Sequence, residues 1–275
     1  MSTDAACWLA LHLSHQVLNT PNERILENSA TLLQAAQIIL GIRFEKAYEK
    51  AQRYLTQISG AEFIVTHNDN DFPARLREIP NAPFALFCKG NRAILNRTTI
   101  SIVGTREPSP SGRLAGKCLS EHFAKQFVIV SGIARGIDAI AHHAALQAGG
   151  ATIAVLPNGH THHYPLENRD LYQSASINHN ILLVSEYPPE AKPQKHHYVR
   201  RNRIISGFSE TTIFVEGAIK SGAMITARYA LDQGRDVAAL TLPLSTLNSG
   251  GLQLLEDGAK NFDTLVAPKQ NESPS

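Results

Sequence analysis

The sequence of 275 residues contains very little cysteine, with only Cys7, Cys88 and Cys118. These residues are odd in number, lie far apart and form no C-x-x-C pair, which argues against a disulfide framework and a cysteine zinc site. A reducing cytoplasm is therefore the expected compartment. The sequence also lacks a secretory leader and any apolar run long enough to cross a bilayer, so we expect no membrane span.

An excess of charge of one sign is absent as well. The 26 basic and 24 acidic residues leave a formal net charge of +2. A chain that is only mildly basic binds nucleic acid through a local basic patch and not through its overall charge.

Several catalytic and cofactor motifs are missing. No G-x-G-x-x-G follows the first strand of the predicted α/β region, and no H-E-x-x-H or G-x-S-x-G is present. The stretch Gly112–Cys118 resembles a P-loop, but it is one residue short and ends in cysteine where serine or threonine is required. We therefore expect no bound cofactor.

The polar residues that remain do not form a catalytic set. His160, His162 and His163 have no cysteine nearby, and a polar loop is the preferred interpretation over a metal site. The candidate acids Asp138 and Glu216, together with Glu186, are interpreted as holding loops by pairing with arginines or backbone N–H groups. With no nucleophile beside a base, the sequence predicts a protein that is not an enzyme.

Two regions differ in their hydrophobic pattern. Residues 4–58 carry apolar side chains at helical spacing and predict a small helical domain at 1–60. Residues 61–268 predict an α/β domain, and the polar stretch 269–275 predicts a disordered tail. Apolar strand candidates lie at 62–66, 84–87, 99–103, 127–131, 152–156, 181–184, 212–216 and 236–241, with helical patterns at 110–125, 137–148, 168–177 and 223–233. Continuous apolar strands that alternate with helices indicate a parallel sheet with helices on both faces.

Small, glycine-containing loops follow four of these strands. In an open parallel sheet, ligands bind beyond the carboxyl ends of the strands, so these loops should meet at one edge. They are Gly104–Arg106, Gly132–Asp138, Pro157–Gly159 and Gly217–Gly222. Gly104 is predicted to let the backbone approach a ligand, and the N–H groups of a helix that starts near Ser109 to point at it. Together with Arg106 and Lys220, these features predict an anion site.

A basic segment runs from Lys192 to Arg203, with His196, His197 and Tyr198 among its cations and no acidic residue. Such a segment is either a solvated loop or, because aromatic and basic side chains alternate, a surface for single-stranded nucleic acid. In a strand Arg201 and Arg203 would share a face, whereas in a helix they would not.

Taken together, the motifs resemble the DNA-processing protein A family (DprA, also called Smf). The matching stretches, in order over about residues 69–260, include Asp71–Pro73, Ile102–Arg106, Ser131–Asp138, Tyr164–Pro165, Ser185–Pro188, Arg201–Gly207, Val215–Glu216 and Ser221–Gly222. The resemblance implies an extended Rossmann-like domain preceded by a SAM-like helical module. It also implies a non-catalytic dimer that binds single-stranded DNA, protects incoming strands in natural transformation and helps to load the recombinase RecA.

The resemblance also implies a set of nucleic-acid-binding residues. They are Gly104, Thr105, Arg106, Ser109, Ser131, Gly132, Arg201, Arg203, Lys220, Ser221, Gly222 and Thr226. The chain departs from the family at Ser111 before Gly112, where a tyrosine is usual, and at Leu242–Leu244, where Pro-Gly is frequent. An alternative function is a nucleotide sensor or a phosphoribohydrolase similar to the LOG enzymes, although Glu216–Gly222 lacks their Pro-Gly-Gly-x-Gly-Thr-x-x-Glu loop.

Overall fold

The computed structural model describes residues 3–14, 29–241 and 248–265. Its strands are β1 (Glu62–Thr66), β2 (Ala85–Gly90), β3 (Thr99–Val103), β4 (Val128–Ser131), β5 (Thr152–Leu156), β6 (Ile181–Ser185), β7 (Thr211–Phe214), β8 (Asp236–Ala239) and β9 (Lys260–Asn261). Within the described residues they form one sheet in the order β1-β2-β6-β5-β4-β3-β7-β8-β9.

Strands β3 to β9 pair in parallel, whereas β1 and β2 form an antiparallel hairpin that extends the sheet beside β6. The predicted α/β fold is therefore confirmed, with an antiparallel addition at one edge. The helices are α1 (Thr3–Leu13), α2 (Leu32–Leu40), α3 (Phe44–Gln57), α4 (Ala74–Arg77), α5 (Pro110–Phe123), α6 (Ile137–Gln147), α7 (Arg169–Ser174), α8 (Lys195–Phe208), α9 (Gly222–Asp232) and α10 (Ser249–Glu256).

Both faces of the sheet are buried. Successive side chains of a strand point to opposite faces, so Ile129 of β4 packs in one core with α5 and α6. Its neighbours Val128 and Val130 pack in the other core with α8 and α9. Burial on both sides explains why the central strands are apolar throughout instead of alternating.

The chain order places a switch point at the centre of the sheet. From β3 the chain adds β4, β5 and β6 on one side, and it then adds β7, β8 and β9 on the other side. The loops after β3 and β7 therefore diverge to opposite sides and leave a crevice beyond their carboxyl ends.

The N-terminal helices form a small core with the hairpin. Residues of α1, α2 and α3 pack against Ile64 of β1 and against Ala85 and Phe87 of β2. His12 of α1 also lies 2.6 Å from the carbonyl oxygen of Glu186, just beyond β6. The predicted boundary at residue 60 thus separates segments that share a core. The predicted tail 269–275 and the stretch 242–244 lie outside the described residues.

The basic segment is the main correction to the sequence-based prediction. It was interpreted as a solvated loop or a nucleic-acid-binding surface, with strand and helix both left open, but α8 begins at Lys195, and Arg201 and Arg203 are both buried. The apolar residues Ile204, Ile205 and Phe208, near the C-terminal end of α8, anchor the helix in the core. Across the described ranges, none of the helices has both the length and the apolarity to cross a membrane.

Candidate functional site

A cavity of about 470 Å³ lies at the switch point, where the loops after β3 and β7 diverge. It is lined by loop residues from both strands, by the start of α6 and by one face of α8. Seven of the predicted site residues line it: Gly104, Thr105, Arg106, Arg201, Ser221, Gly222 and Thr226.

The loop after β3 is held by backbone hydrogen bonds. The Thr105 N–H donates to the carbonyl oxygen of Glu216 at 2.7 Å, and the Ile137 N–H donates to the carbonyl oxygen of Thr105 at 3.1 Å. A Cβ on Gly104 would lie 2.6 Å from Cγ1 of Ile137, so this glycine serves the packing of the loop against α6. Arg106 follows at the exposed mouth, with its guanidinium 5.9 Å from the ring centroid of Tyr198.

The N-terminus of α5 is already occupied by the protein itself. The Ser109 N–H donates to Oε2 of Glu216 at 2.9 Å, and the Gly112 N–H donates to Oγ of Ser109 at 3.0 Å. A Cβ on Gly112 would overlap the same carboxylate, which is buried. The prediction that this helix end offers N–H groups to a ligand was therefore wrong, because Glu216 takes the place of the anion.

The N-terminus of α9, in contrast, opens into the cavity. Ser221 caps the helix by accepting a hydrogen bond from the Met224 N–H at 3.2 Å, and Gly222 has no atom within 4 Å of a Cβ built on it. Asn202 of α8 donates to the Gly222 carbonyl oxygen at 3.1 Å and fixes the helix end to α8. The partial positive charge of this terminus thus faces the cavity that Arg106 enters.

Arg201 adds a second guanidinium to the cavity. Its Nη1 donates to the carbonyl oxygen of Val155 at 2.6 Å, while its buried Nε has no hydrogen-bond partner within the described part of the chain. Burial lowers the pKa of Arg201, and the nearby Asp138 carboxylate opposes that shift. An anionic ligand would supply both an acceptor and a counter-charge for this group.

Asp138 is the acid of the site. Its Oδ2 accepts a hydrogen bond from the Ala134 N–H at 3.3 Å. Burial raises the pKa of this carboxyl, and the positive charge of Arg201 opposes the rise. A Cβ on Gly132 would overlap both the Arg201 guanidinium and the Asp138 carboxylate, so glycine leaves room for the pair.

Five of the predicted site residues lie outside the cavity lining. Ser109 caps α5, and Gly132 packs beneath Arg201. Ser131 donates to the Ile102 carbonyl oxygen at 2.6 Å and is buried, while Lys220 is exposed in the loop before α9. Arg203 donates a hydrogen bond to the buried carboxylate of Glu186, and Nε of Arg200 donates to the same carboxylate at 3.1 Å.

The interpretation of Glu186 and Glu216 as loop-holding acids is confirmed.

The predicted site omits several lining residues, and Tyr198 and Asn202 are polar ones among them. They line the cavity together with Arg201 and Ile205. These four positions have the spacing i, i+3, i+4 and i+7 that places side chains on one face of a helix. The signal was present in the sequence, but it can be used only once the segment is interpreted as a helix.

The histidine cluster lies away from the cavity lining. His160 is buried with Nε2 3.3 Å from Oε1 of Glu62, and His162 lies 2.8 Å from the carbonyl oxygen of Glu190. Burial lowers the pKa of His160 to about 4. These histidines hold the loop after β5 against the hairpin and the segment after β6.

The fold and the site together define an extended Rossmann-like protein with a cationic, aromatic-rimmed cavity at the switch point of its sheet. A family model described as DNA recombination-mediator protein A matches residues 63–267, and the chain belongs to this family.

The chain is 43% identical over 196 residues to DNA processing protein DprA of Bacillus subtilis, and it is 37% identical over 237 residues to protein Smf of Escherichia coli. These matches cover 70% and 86% of this chain but only 65% and 62% of the relatives, so the chain spans less than two thirds of either.

The molecule is similar to solved structures of DNA processing protein A. DNA processing protein A of Streptococcus pneumoniae has a TM-score of 0.80 at 33% identity, with 93% of this chain and 94% of that chain covered. DNA processing protein A of Helicobacter pylori, described in terms of its single-stranded DNA binding mode, has a TM-score of 0.67 at 30% identity. That match covers 74% of this chain and 92% of the other.

Proposed function

We propose that this chain binds single-stranded DNA in the cavity at the switch point and acts as a recombination mediator without catalysis. The observation that carries the proposal is the convergence of Arg106, Arg201 and the N-terminus of α9 on one cavity beside the ring of Tyr198. Phosphates need such cations and N–H donors, and bases need flat apolar partners.

We propose a wider role as well, in which the protein, as a homodimer in the cytoplasm, protects incoming single strands and loads a RecA recombinase during natural transformation. Membership in the recombination-mediator family supports this role, as does the single-stranded DNA binding described for the Helicobacter pylori relative.

Fluorescence anisotropy of a labelled single-stranded oligonucleotide tests the proposal, with a duplex control and a salt series. We expect preferential binding of the single strand, tolerance of sequence and a steep loss of affinity with salt. Arg106→Ala should weaken binding by about 2 kcal/mol, or roughly thirtyfold, on every sequence, and it should reduce the salt slope by about one.

Arg97→Ala is the matched control. Arg97 is also exposed, but it precedes β3. It therefore lies near the amino ends of the parallel strands, whereas the cavity lies beyond their carboxyl ends. Its removal deletes the same charge from the protein and should leave the affinity within twofold. Equal losses in the two variants would mean that general charge, and not this cavity, binds the strand. Release of free base from a nucleoside monophosphate would instead support the phosphoribohydrolase alternative.

A further inference from the structure

A buried residue, Glu186, joins the N-terminal helices to the helix that lines the cavity. We call α1, α2 and α3 the helical module. His12 of α1 donates from Nε2 to the backbone carbonyl oxygen of Glu186 at 2.6 Å. The side-chain carboxylate of Glu186 accepts hydrogen bonds from Arg200 and Arg203 of α8. One residue therefore contacts the helical module through its main chain and α8 through its side chain.

Glu186 holds the side of α8 that faces away from the cavity. Its partners Arg200 and Arg203 are three residues apart and share one face of the helix. Four cavity-lining residues of α8 lie on the roughly opposite face, since a helix turns by about 100° per residue. They are Tyr198, Arg201, Asn202 and Ile205. The hold on one face therefore decides how the other face is presented to a ligand.

The contact between Glu186 and α8 is charged and shielded from water. Only 3% of the Glu186 side chain and 6% of the Arg203 side chain are exposed. Burial raises the pKa of Glu186, but Arg203 and Arg200 outweigh that effect and hold this pKa below its ordinary value. The carboxylate is therefore ionised at neutral pH, and its hydrogen bonds are of the strong, charge-assisted kind. The neighbouring Tyr187 adds a second contact, because its ring stacks on that of His197 with centroids 3.8 Å apart.

We propose that the helical module raises the affinity of the cavity for single-stranded DNA, an inference that rests on the proposed function. His12 fixes the main chain of Glu186, and Glu186 in turn is the positioning residue for α8 and for Arg201 on it. A cavity whose cationic face is held in place before binding costs the ligand less ordering. Coupling is reciprocal, so a strand bound in the cavity also strengthens the contact of His12 with Glu186.

Substitution of His12 cuts this link without changing Glu186 or α8. Glu186 itself is less suitable, because removing its charge leaves two arginines without their counter-charge and costs folding stability. In His12→Leu the hydrogen bond is lost, and the affinity of the full chain for a labelled single-stranded oligonucleotide, measured by anisotropy, should fall about fivefold. His12→Gln, which again carries an N–H donor, should restore most of the affinity.

Two control variants separate the positioning of α8 from general damage to the helical module. Ser14→Ala removes a hydrogen bond at the end of the same helix, from Ser14 Oγ to the Ala10 carbonyl oxygen at 2.9 Å. Tyr54→Phe removes a hydrogen bond from α3 to Glu190, which also joins the module to the α/β domain but does not include Glu186. Both variants should keep the affinity within twofold, and thermal melting should show that every variant is folded.

Trp8 reports the coupling directly, because it is the single tryptophan of the sequence and lies one turn before His12 on α1. Its ring packs 5.2 Å from that of Phe84, and it is not among the cavity-lining residues. A saturating oligonucleotide should change the Trp8 emission of the unmodified protein and of His12→Gln. The change in His12→Leu should be less than half as large, which a merely structural role of His12 would not produce.

Unchanged DNA affinity in His12→Leu would overturn the coupling and leave the DNA site intact, as would a Trp8 response that is absent or equal in both His12 variants. An equal loss of affinity in Ser14→Ala or Tyr54→Phe would also overturn it, since the module would then act through stability alone. Failure of the unmodified protein to bind the oligonucleotide at low salt would overturn the proposed function itself.

Discussion

The N-termini of α5 and α9 share a serine cap and differ in their surroundings. Each helix follows one of two adjacent parallel strands, β3 and β7, and each is capped by a serine, Ser109 or Ser221. At α5 the carboxylate of Glu216 already accepts a hydrogen bond from the Ser109 N–H, whereas the N-terminus of α9 opens into the cavity. An anion site therefore depends on what stands before the helix end, as well as on its cap.

A third helix end lies between these two cases. Asp138 belongs to the first turn of α6, where its own carboxylate accepts the Ala134 N–H, and the Ile137 N–H is taken by the Thr105 carbonyl oxygen. The protein thus supplies its own oxygen acceptors at α5 and α6. Of these three helices, α9 is the one whose end is left to a ligand.

The largest effect is expected from making α9 resemble α5. Gly222→Asp places a carboxylate at an open helix end, where a side chain meets no atom within 4 Å of its Cβ and the backbone needs no left-handed conformation. Repulsion of a phosphate about 5 Å away amounts to about 3 kcal/mol at an effective dielectric constant near 20, on the order of a hundredfold in affinity. Anisotropy with the single-stranded oligonucleotide measures it.

Gly222→Ala and Gly222→Asn are the matched controls, because they add a side chain without charge. Both should keep the affinity within about threefold, and all three variants should remain folded, since an acidic residue in the first turn favours a helix. If the aspartate variant bound DNA as well as the alanine variant, α9 would not face the phosphate, and the contrast with α5 would lose its functional meaning.

Much of the fold could be predicted from the sequence, because strands that are buried on both faces are continuous apolar runs. The apolar runs at 99–103 and 152–156 coincide with β3 and β5, and the helical pattern from residue 110 coincides with the start of α5. Helix α8 was missed because its charged first half hides the periodicity. Further along the helix, Arg203 is buried in an ion pair with Glu186, and a hydrophobic pattern cannot register that pairing.

From the loop pattern, the site was predictable where a single loop supplies it, whereas Arg201 and Thr226 of the helices α8 and α9 were named through the family resemblance. Gly104–Arg106 and Ser221–Gly222 reach the cavity because each directly follows or precedes a regular element. The occupation of α5 by Glu216 joins residues 107 positions apart, and no local spacing signals it. Tertiary contacts of this kind decide which of two similar helix ends stays open.

A smaller effect should come from the acid at α6. Asp138→Asn removes a negative charge from the cavity and leaves the buried Arg201 free to pair with a phosphate, so the affinity for single-stranded DNA should rise by about 1 kcal/mol, roughly fivefold. A titration at neutral pH measures the change. A loss of affinity would show that Asp138 positions Arg201 more than it opposes the ligand.

The same residue predicts a pH dependence. Burial raises the pKa of Asp138 above its ordinary range, and a bound phosphate raises that pKa further, so binding takes up protons. The affinity should be highest below this raised pKa and should fall as the pH increases through it. The stability that Asp138 contributes follows the same sign, since the folded state holds the proton more tightly. Comparison of pH profiles with Asp138→Asn isolates both effects, and identical profiles would contradict them.

The smallest effect, and the most direct comparison, comes from the two serine caps. Ser109→Ala and Ser221→Ala each remove one hydrogen bond to a helix N–H, from Gly112 and Met224 respectively, and each should lower the free energy of unfolding by about 1 kcal/mol. Denaturant unfolding measures this cost, which should be similar for both. The affinity for single-stranded DNA should fall about threefold in Ser221→Ala alone, because only Ser221 lines the cavity. Equal losses in both variants would mean that stability controls binding, whereas a difference at equal stability assigns the open helix end to the ligand.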